Sequence, residues 1–233
     1  MRHALLAFLA WLPLAAVAAE PAKLPDNLEL RYVLRYDNLT VGQVTKTLAR
    51  QPDGTYLHRS QSVPEGMANW FTSVTWHEEG RFEVVNGKVR PLRFLEYRVG
   101  ADKPHRHEAT FDWKTGIIHY AGWPDVKLPP GTQDLGSLAY AFMLDPPAVG
   151  NRPDIHLSTG KKLRRYRYAQ VGTETIRTAL GELRATVIER APTEGKDEER
   201  VRIWLAIDRR HLPVRIATEK RGKETVLEIK SVR

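Results

Sequence analysis

Period-two alternation of apolar and polar positions dominates this chain. From Leu28 to Tyr36, Leu28, Leu30, Tyr32, Leu34 and Tyr36 fall on one face, with Glu29, Arg31 and Arg35 on the other. Such alternation predicts a strand with one face on a core and one in water. The same pattern continues over Val41 to Arg50, Tyr56 to Val63 and Trp76 to Val85. Asn86-Gly87 follows, a dipeptide whose tolerance of positive φ predicts a tight hairpin into Lys88 to Arg98. His105 to Trp113 and Ile117 to Gly122 read as a further hairpin across Lys114-Thr115-Gly116. Beyond Pro153, strands are predicted at 162–171, 173–178, 183–190, 200–207, 214–219 and 225–232, some of them able to merge.

Two segments leave this pattern. Pro64 to Ser73, with Met67, Trp70, Phe71 and Val74 following it, has helical spacing and reads as a short helix or an apolar flap. The second spaces Leu135, Leu138, Ala139 and Phe142 at i, i+3, i+4 and i+7. Thr132 is placed to cap it, Asp134 lies in its first turn, and Asp145-Pro146-Pro147 ends it. The prediction is an all-β protein: a large curved antiparallel sheet, or an open or closed β-barrel, with one short helix around 132–144.

The first nineteen residues have a different character. Arg2 and His3 precede an apolar run, Pro13 interrupts it, and small residues from Ala15 to Ala19 follow, the layout of a secretory signal peptide. The run is shorter than the roughly 20 residues that a membrane-spanning helix needs. The expectation is cleavage near Ala18 or Ala19, leaving residues 20–233 as one periplasmic β-barrel-like domain. The chain has no cysteine, so neither a lipoprotein anchor nor disulfides are expected, and the fold must rest on its hydrophobic core. Charge is uneven: residues 20–150 hold 15 Lys/Arg and 16 Asp/Glu, whereas residues 151–233 hold 20 and 12. A basic half favours an acidic partner such as an anionic head group or glycan, and export argues against nucleic acid. The competing reading is that these cations solvate exposed strand faces.

Several segments are similar to the exported bacterial family called domain of unknown function 3108. They are Leu30-Arg31-Tyr32 with Gly42 downstream, Pro91-Leu92-Arg93-Phe94, Gly131-Thr132-Gln133-Asp134 followed by Ser137, and Ile203-Trp204-Leu205 followed by Asp208 and Leu212-Pro213-Val214. The resemblance implies a periplasmic, barrel-like antiparallel fold and no particular reaction. One departure is Leu135-Gly136, where the family pattern implies a bulkier or charged pair.

Candidate chemistry is sparse. Asp134 and Ser137, three apart on a helix, can act as base and nucleophile, or as a cap and a packing residue; neither a Gly-x-Ser-x-Gly elbow nor a Ser-x-x-Lys motif supports the first. Asp112 joins Asp134, Glu78 and Glu79 as carboxylates for glycoside cleavage, against salt bridging as the alternative. A hairpin register pairing Phe111 with His119 would put His105, His107 and His119 on one face as weak metal ligands, so no metal and no cofactor are predicted. Lys162, Arg164 and Arg165 around Tyr166 form a basic strand able to hold an anionic ligand, or an exposed edge or hairpin guarded by charge. Trp70 and Phe71 can close over an apolar cavity, or simply pack. The reading is non-catalytic binding of an amphipathic or anionic envelope component, with peripheral membrane contact and no transmembrane span. The alternatives are an envelope glycan hydrolase and a scaffold for another envelope protein.

Overall fold

A computed structural model describes residues 23–70, 72–190 and 199–233, at Met67 and Trp70 the backbone only. The predicted leader and Phe71 lie outside the described residues. The strands are β1 (Asn27–Tyr36), β2 (Leu39–Arg50), β3 (Tyr56–Pro64), β4 (Thr75–Val85), β5 (Lys88–Val99), β6 (Arg106–Asp112), β7 (Ile117–Tyr120) and β8 (Trp123–Lys127). After β9 (Gln133–Asp134) and helix α1 (Leu138–Leu144) come β10 (Asp154–Ser158), β11 (Leu163–Thr178), β12 (Gly181–Arg190), β13 (Arg200–Ala206), β14 (Leu212–Lys220) and β15 (Lys223–Val232).

The sheet order is β8-β7-β6-β5-β4-β3-β2-β1-β15-β14-β13-β12-β11-β10-β9. Two up-and-down meanders therefore join where the first and last strands pair, Leu30 opposite Val232 and Leu34 opposite Leu227. Short turns make the meanders possible. Asn86 and Gly87 both have positive φ, 51° and 75°, and connect Val85 directly to Lys88. All pairs are antiparallel except β9 with β10.

The sheet curls without closing. Side-chain hydrogen bonds tie β9 and β10 back to the first meander: Gln133 Nε2 donates to the Val89 carbonyl of β5 at 2.9 Å, and the Tyr120 and Ser158 hydroxyls meet at 3.1 Å. Inside the curl lie Leu30, Tyr32, Leu48, Tyr56 and Phe82, joined by Tyr140 and Met143 of α1. Leu138 and Phe142 of the same helix pack instead with Tyr168, Ile188 and Leu205. The helix thus wedges between two parts of the core. Among the described residues no helix is long and apolar enough to cross a membrane.

Two local expectations need correction. The helix begins at Leu138 rather than Thr132, because Gln133 and Asp134 pair with Leu157 and Ser158 as a strand and so cannot join a helix. The Thr132 hydroxyl donates to the Pro129 carbonyl at 2.7 Å and caps nothing. Segment 64–73, expected as a short helix or an apolar flap, holds a short 3-10 helix over Gly66–Trp70. The predicted strands at 162–171 and 173–178 do merge, into one long strand with an irregularity between Gln170 and Gly172.

The second correction concerns the 105–122 hairpin. Asp112 pairs with Ile117 and Thr110 with His119, because Trp113 belongs to the loop. Its indole donates to the Pro91 carbonyl at 2.6 Å and lies under the Arg90 guanidinium. One additional loop residue flips every side chain of the return strand. His119 therefore points away from His107 and pairs with Asp125 at 2.8 Å in solvent.

Candidate functional site

Directly opposed residues in an antiparallel ladder share a face, so the register maps the interior of the curl. One row runs Leu30, Lys46, Ser60, Glu78, Glu96, His107 across β1 to β6. The row on one side is Leu48, His58, Gly80, Phe94, Ala109 and Tyr120. The row on the other is Tyr32, Val44, Ser62, Trp76 and Arg98, whose amide donates to the carbonyl of His105. Charged and imidazole groups therefore occupy inward positions between residues that form the core.

These side chains line one wall of a cavity of about 560 Å³ between β2–β4 and β14–β15. Lys46, Ser60, Ser62 and Glu78 make that wall polar, while Leu34, Ile216 and Leu227, with Thr218 and Thr225 beside them, make the facing wall mainly apolar. Trp76 stands part-exposed at the rim, with the Arg98 guanidinium 3.5 Å above its ring. The Lys46 ammonium lies 3.8 Å from Glu78. Burial pushes Glu78 up, but the Lys46 ammonium outweighs it and holds the carboxyl at about 2. His58 is buried, its Nδ1 bonded to the Tyr140 hydroxyl at 2.8 Å. Burial is also the main force keeping its imidazole neutral. Its Nε2 lies 4.0 Å from Glu78, beyond hydrogen-bond reach, and has no partner among the described residues.

Asp134 approaches the same region from β9. Its Oδ1 accepts the amides of Gly136 and Ser137, both at 2.8 Å. Burial, partly opposed by these bonds, raises its pKa to about 7. A residue larger than glycine does not fit at Gly136, where a Cβ would stand 2.8 Å from the His58 ring. Ser137 Oγ accepts the Asp134 amide and donates to Gln133 Oε1, each at 2.9 Å. Its hydroxyl proton is thus committed to an amide oxygen, and no base addresses it. Asp112 lies at the 112–117 turn, on the opposite face of its strand from His107, and accepts the amides of Lys114 and Thr115. Asp112 and Asp134 therefore do not meet.

The remaining sequence candidates are scattered. Over Leu163–Arg167 strand β11 pairs with β10, and over Tyr168–Thr178 with β12, so the basic segment has a ladder partner on one side. Lys162 lies in the β10–β11 turn, and Arg164 and Arg165 are exposed, Arg165 within 3.9 Å of Asp154. Tyr166 cannot stack on a ligand: it is buried, with the Arg190 guanidinium 4.3 Å from its ring centre. On the outer face, Arg35, Arg202 and Arg215 line a groove of about 390 Å³ but pair with Glu228, Glu189 and Glu228. Sequence reasoning did not single out Lys46, His58 and Glu96. The signal for them was parity: Lys46 interrupts Val44 and Leu48 on the inward side of β2.

The family model described as "Protein of unknown function (DUF3108)" matches residues 31–225. A solved structure, a beta-barrel-like protein of domain of unknown function DUF1849 from Brucella abortus, is similar, with a TM-score of 0.57 and 9% identity. The alignment covers 88% of this chain and 96% of that one, and at this identity it shows the fold alone. No curated protein matches.

Proposed function

Since the chain belongs to the family described as protein of unknown function DUF3108, its function must be argued from its own geometry, and we propose that it binds an amphipathic component of the cell envelope inside the open barrel. One observation carries this reading: the interior cavity has one wall with a fixed ammonium–carboxylate pair, Lys46 and Glu78, and an opposite wall of Leu34, Ile216 and Leu227. A ligand with an acyl or other apolar body and a polar head matches both walls. The volume lies within the range of small-molecule sites, roughly 300–1,000 Å³. Apolar contact supplies most of the affinity, and the polar wall fixes which end of the ligand lies where. The reading includes export to the periplasm, on the strength of the leader-like pattern of residues 1–19.

Native mass spectrometry with lipid extraction, on protein isolated from its own host, tests the proposal. A stoichiometric lipid or lipid-linked adduct is expected. It should be lost in Leu227→Arg, which places a charge on the apolar wall, and weakened in Lys46→Glu. A clean apo mass under gentle conditions, together with no retention of a fluorescent fatty acid or phospholipid probe, would refute it. Glycan hydrolysis assays and partner pull-downs would then test the enzyme and scaffold readings.

A further inference from the structure

We propose that Glu96, His105 and His107 form a binding site for one divalent transition-metal ion of the zinc type. The three sit at the β5–β6 end of the inward row, and none lines the apolar wall of the cavity. One ligand atom from each residue lies within 4.8 Å of the other two. Glu96 Oε1 is 2.5 Å from His105 Nε2 and 3.7 Å from His107 Nδ1. A tetrahedral ion with bonds of about 2.0–2.1 Å holds its ligand atoms roughly 3.3 Å apart. The two carboxylate–imidazole separations bracket that value, each within about 0.8 Å of it, and the third pair lies within 4.8 Å. Two imidazoles and one carboxylate are borderline donors suited to zinc, and three protein ligands leave a fourth position for water or a ligand's anionic group.

The scaffold holds this triad in place. Glu96 and His107 are directly opposed on neighbouring strands, and the His105 carbonyl accepts the Arg98 amide, so all three residues are tied to one ladder. The His105 and His107 rings lie 4.2 Å apart, and Trp76 packs against His105. Behind His107 is the β10–β11 turn. Gly160 has φ +78°, and a Cβ there would stand 2.9 Å from His107 Cβ and 3.2 Å from Phe94. The turn therefore lies close against His107 and Phe94, which limits the room in which His107 can move, as metal ligands require. All three side chains are largely but not fully buried, which leaves a path for the ion. His119, on the other face, has no part in it.

The test is zinc binding by the protein purified without an oligohistidine tag, measured by competition against a chromophoric chelator. One zinc per chain is expected. Second-sphere losses cost 10–100-fold in affinity, so removing a ligand should weaken binding by about 100-fold or more. Glu96→Gln and His105→Asn are the variants, each checked for native circular dichroism, and His119→Ala should bind as the unmodified protein does. Calcium and magnesium should not compete, because both prefer all-oxygen sites. Loading the unmodified protein with cobalt(II) gives a second readout that needs no variant: the visible absorption of a four-coordinate nitrogen and oxygen site. Binding below about a tenth of an equivalent would overturn the proposal. So would undiminished binding in both variants, loss of binding in His119→Ala, or a cobalt spectrum identical to that of the hydrated ion. Metal binding and lipid retention are read separately, so either proposal can fail without the other.

Discussion

Replacing Asp134 separates two roles of one carboxyl. Asp134→Ala removes the acceptor of two amides, those of Gly136 and Ser137, in a buried corner before the helix. An unpaired buried donor costs about 1–3 kcal/mol, so the loss is about 2–6 kcal/mol. That is a large share of the 5–15 kcal/mol typical of a folded domain. At about 2–4 °C per kcal/mol for a chain of this length, Tm should fall on the order of 10 °C. Asp134→Asn retains an acceptor oxygen and removes only the titration.

The unmodified carboxyl has its pKa raised from 3.8 to about 7. A raised acid binds its proton more tightly in the folded state. Its contribution is therefore fully present below the unfolded pKa and is lost as pH rises through the folded one. From pH 5 to 7, where the folded carboxyl becomes half ionised, this amounts to about 2 kcal/mol of stability lost with rising pH, at 1.36 kcal/mol per unit. Urea unfolding followed by tryptophan fluorescence at pH 5, 6, 7 and 8 measures it. The difference between unmodified protein and Asp134→Asn cancels the other titrating groups. That difference should move steadily against the unmodified protein up to about pH 7 and then level off. A difference independent of pH from 5 to 8 would show that Asp134 is ionised throughout, and the assignment of its raised pKa to burial would be wrong.

Three further outcomes follow from the packing. Gly136→Ala drives a methyl to 2.8 Å from the buried His58 ring and should destabilise by about 1–3 kcal/mol, with partial recovery in the double variant with His58→Ala; stability unchanged within error would refute the close approach. Arg190→Ala removes the cation stacked on Tyr166 and paired with Glu199 at 3.2 Å, and should cost about 2–4 kcal/mol in urea unfolding, whereas a loss under 0.5 kcal/mol would contradict the buried position. His119→Ala disrupts only an exposed pair with Asp125 and should change stability by less than about 0.5 kcal/mol; a larger loss would revive the register that turns His119 inward.

What the sequence disclosed and concealed follows from the range over which each interaction acts. Alternation and turn chemistry are local, so β1 to β7 and the Asn86-Gly87 hairpin were legible within a few residues. Strand β9 was hidden because it is only two residues long, and its partner β10 lies more than twenty residues downstream, a non-local pairing with no local period. The helical spacing from Leu135 was real, but the ladder bonds of Gln133 and Asp134 and the His58 ring against Gly136 decided where the helix could start. The site was harder still. Lys46, His58, Glu78, Glu96 and His107 come from five strands, and nothing in sequence spacing joins them. Only register does, and register is sensitive to a single residue. Counting Trp113 into the strand puts His119 beside His107; counting it into the loop, where its indole is bonded to Pro91, turns His119 out and leaves Glu96 as the partner of both histidines. Burial then decides how these groups behave. An inward lysine or glutamate in a half-buried sheet is costly unless paired, and this interior pairs them, Lys46 with Glu78 and Glu96 with two imidazoles, beside an apolar wall that needs no charge at all. Apolar residues at those positions would stabilise the barrel as well or better, so the polar row is where this fold departs from what stability alone would select, and that departure is the physical reason to look for its ligand there.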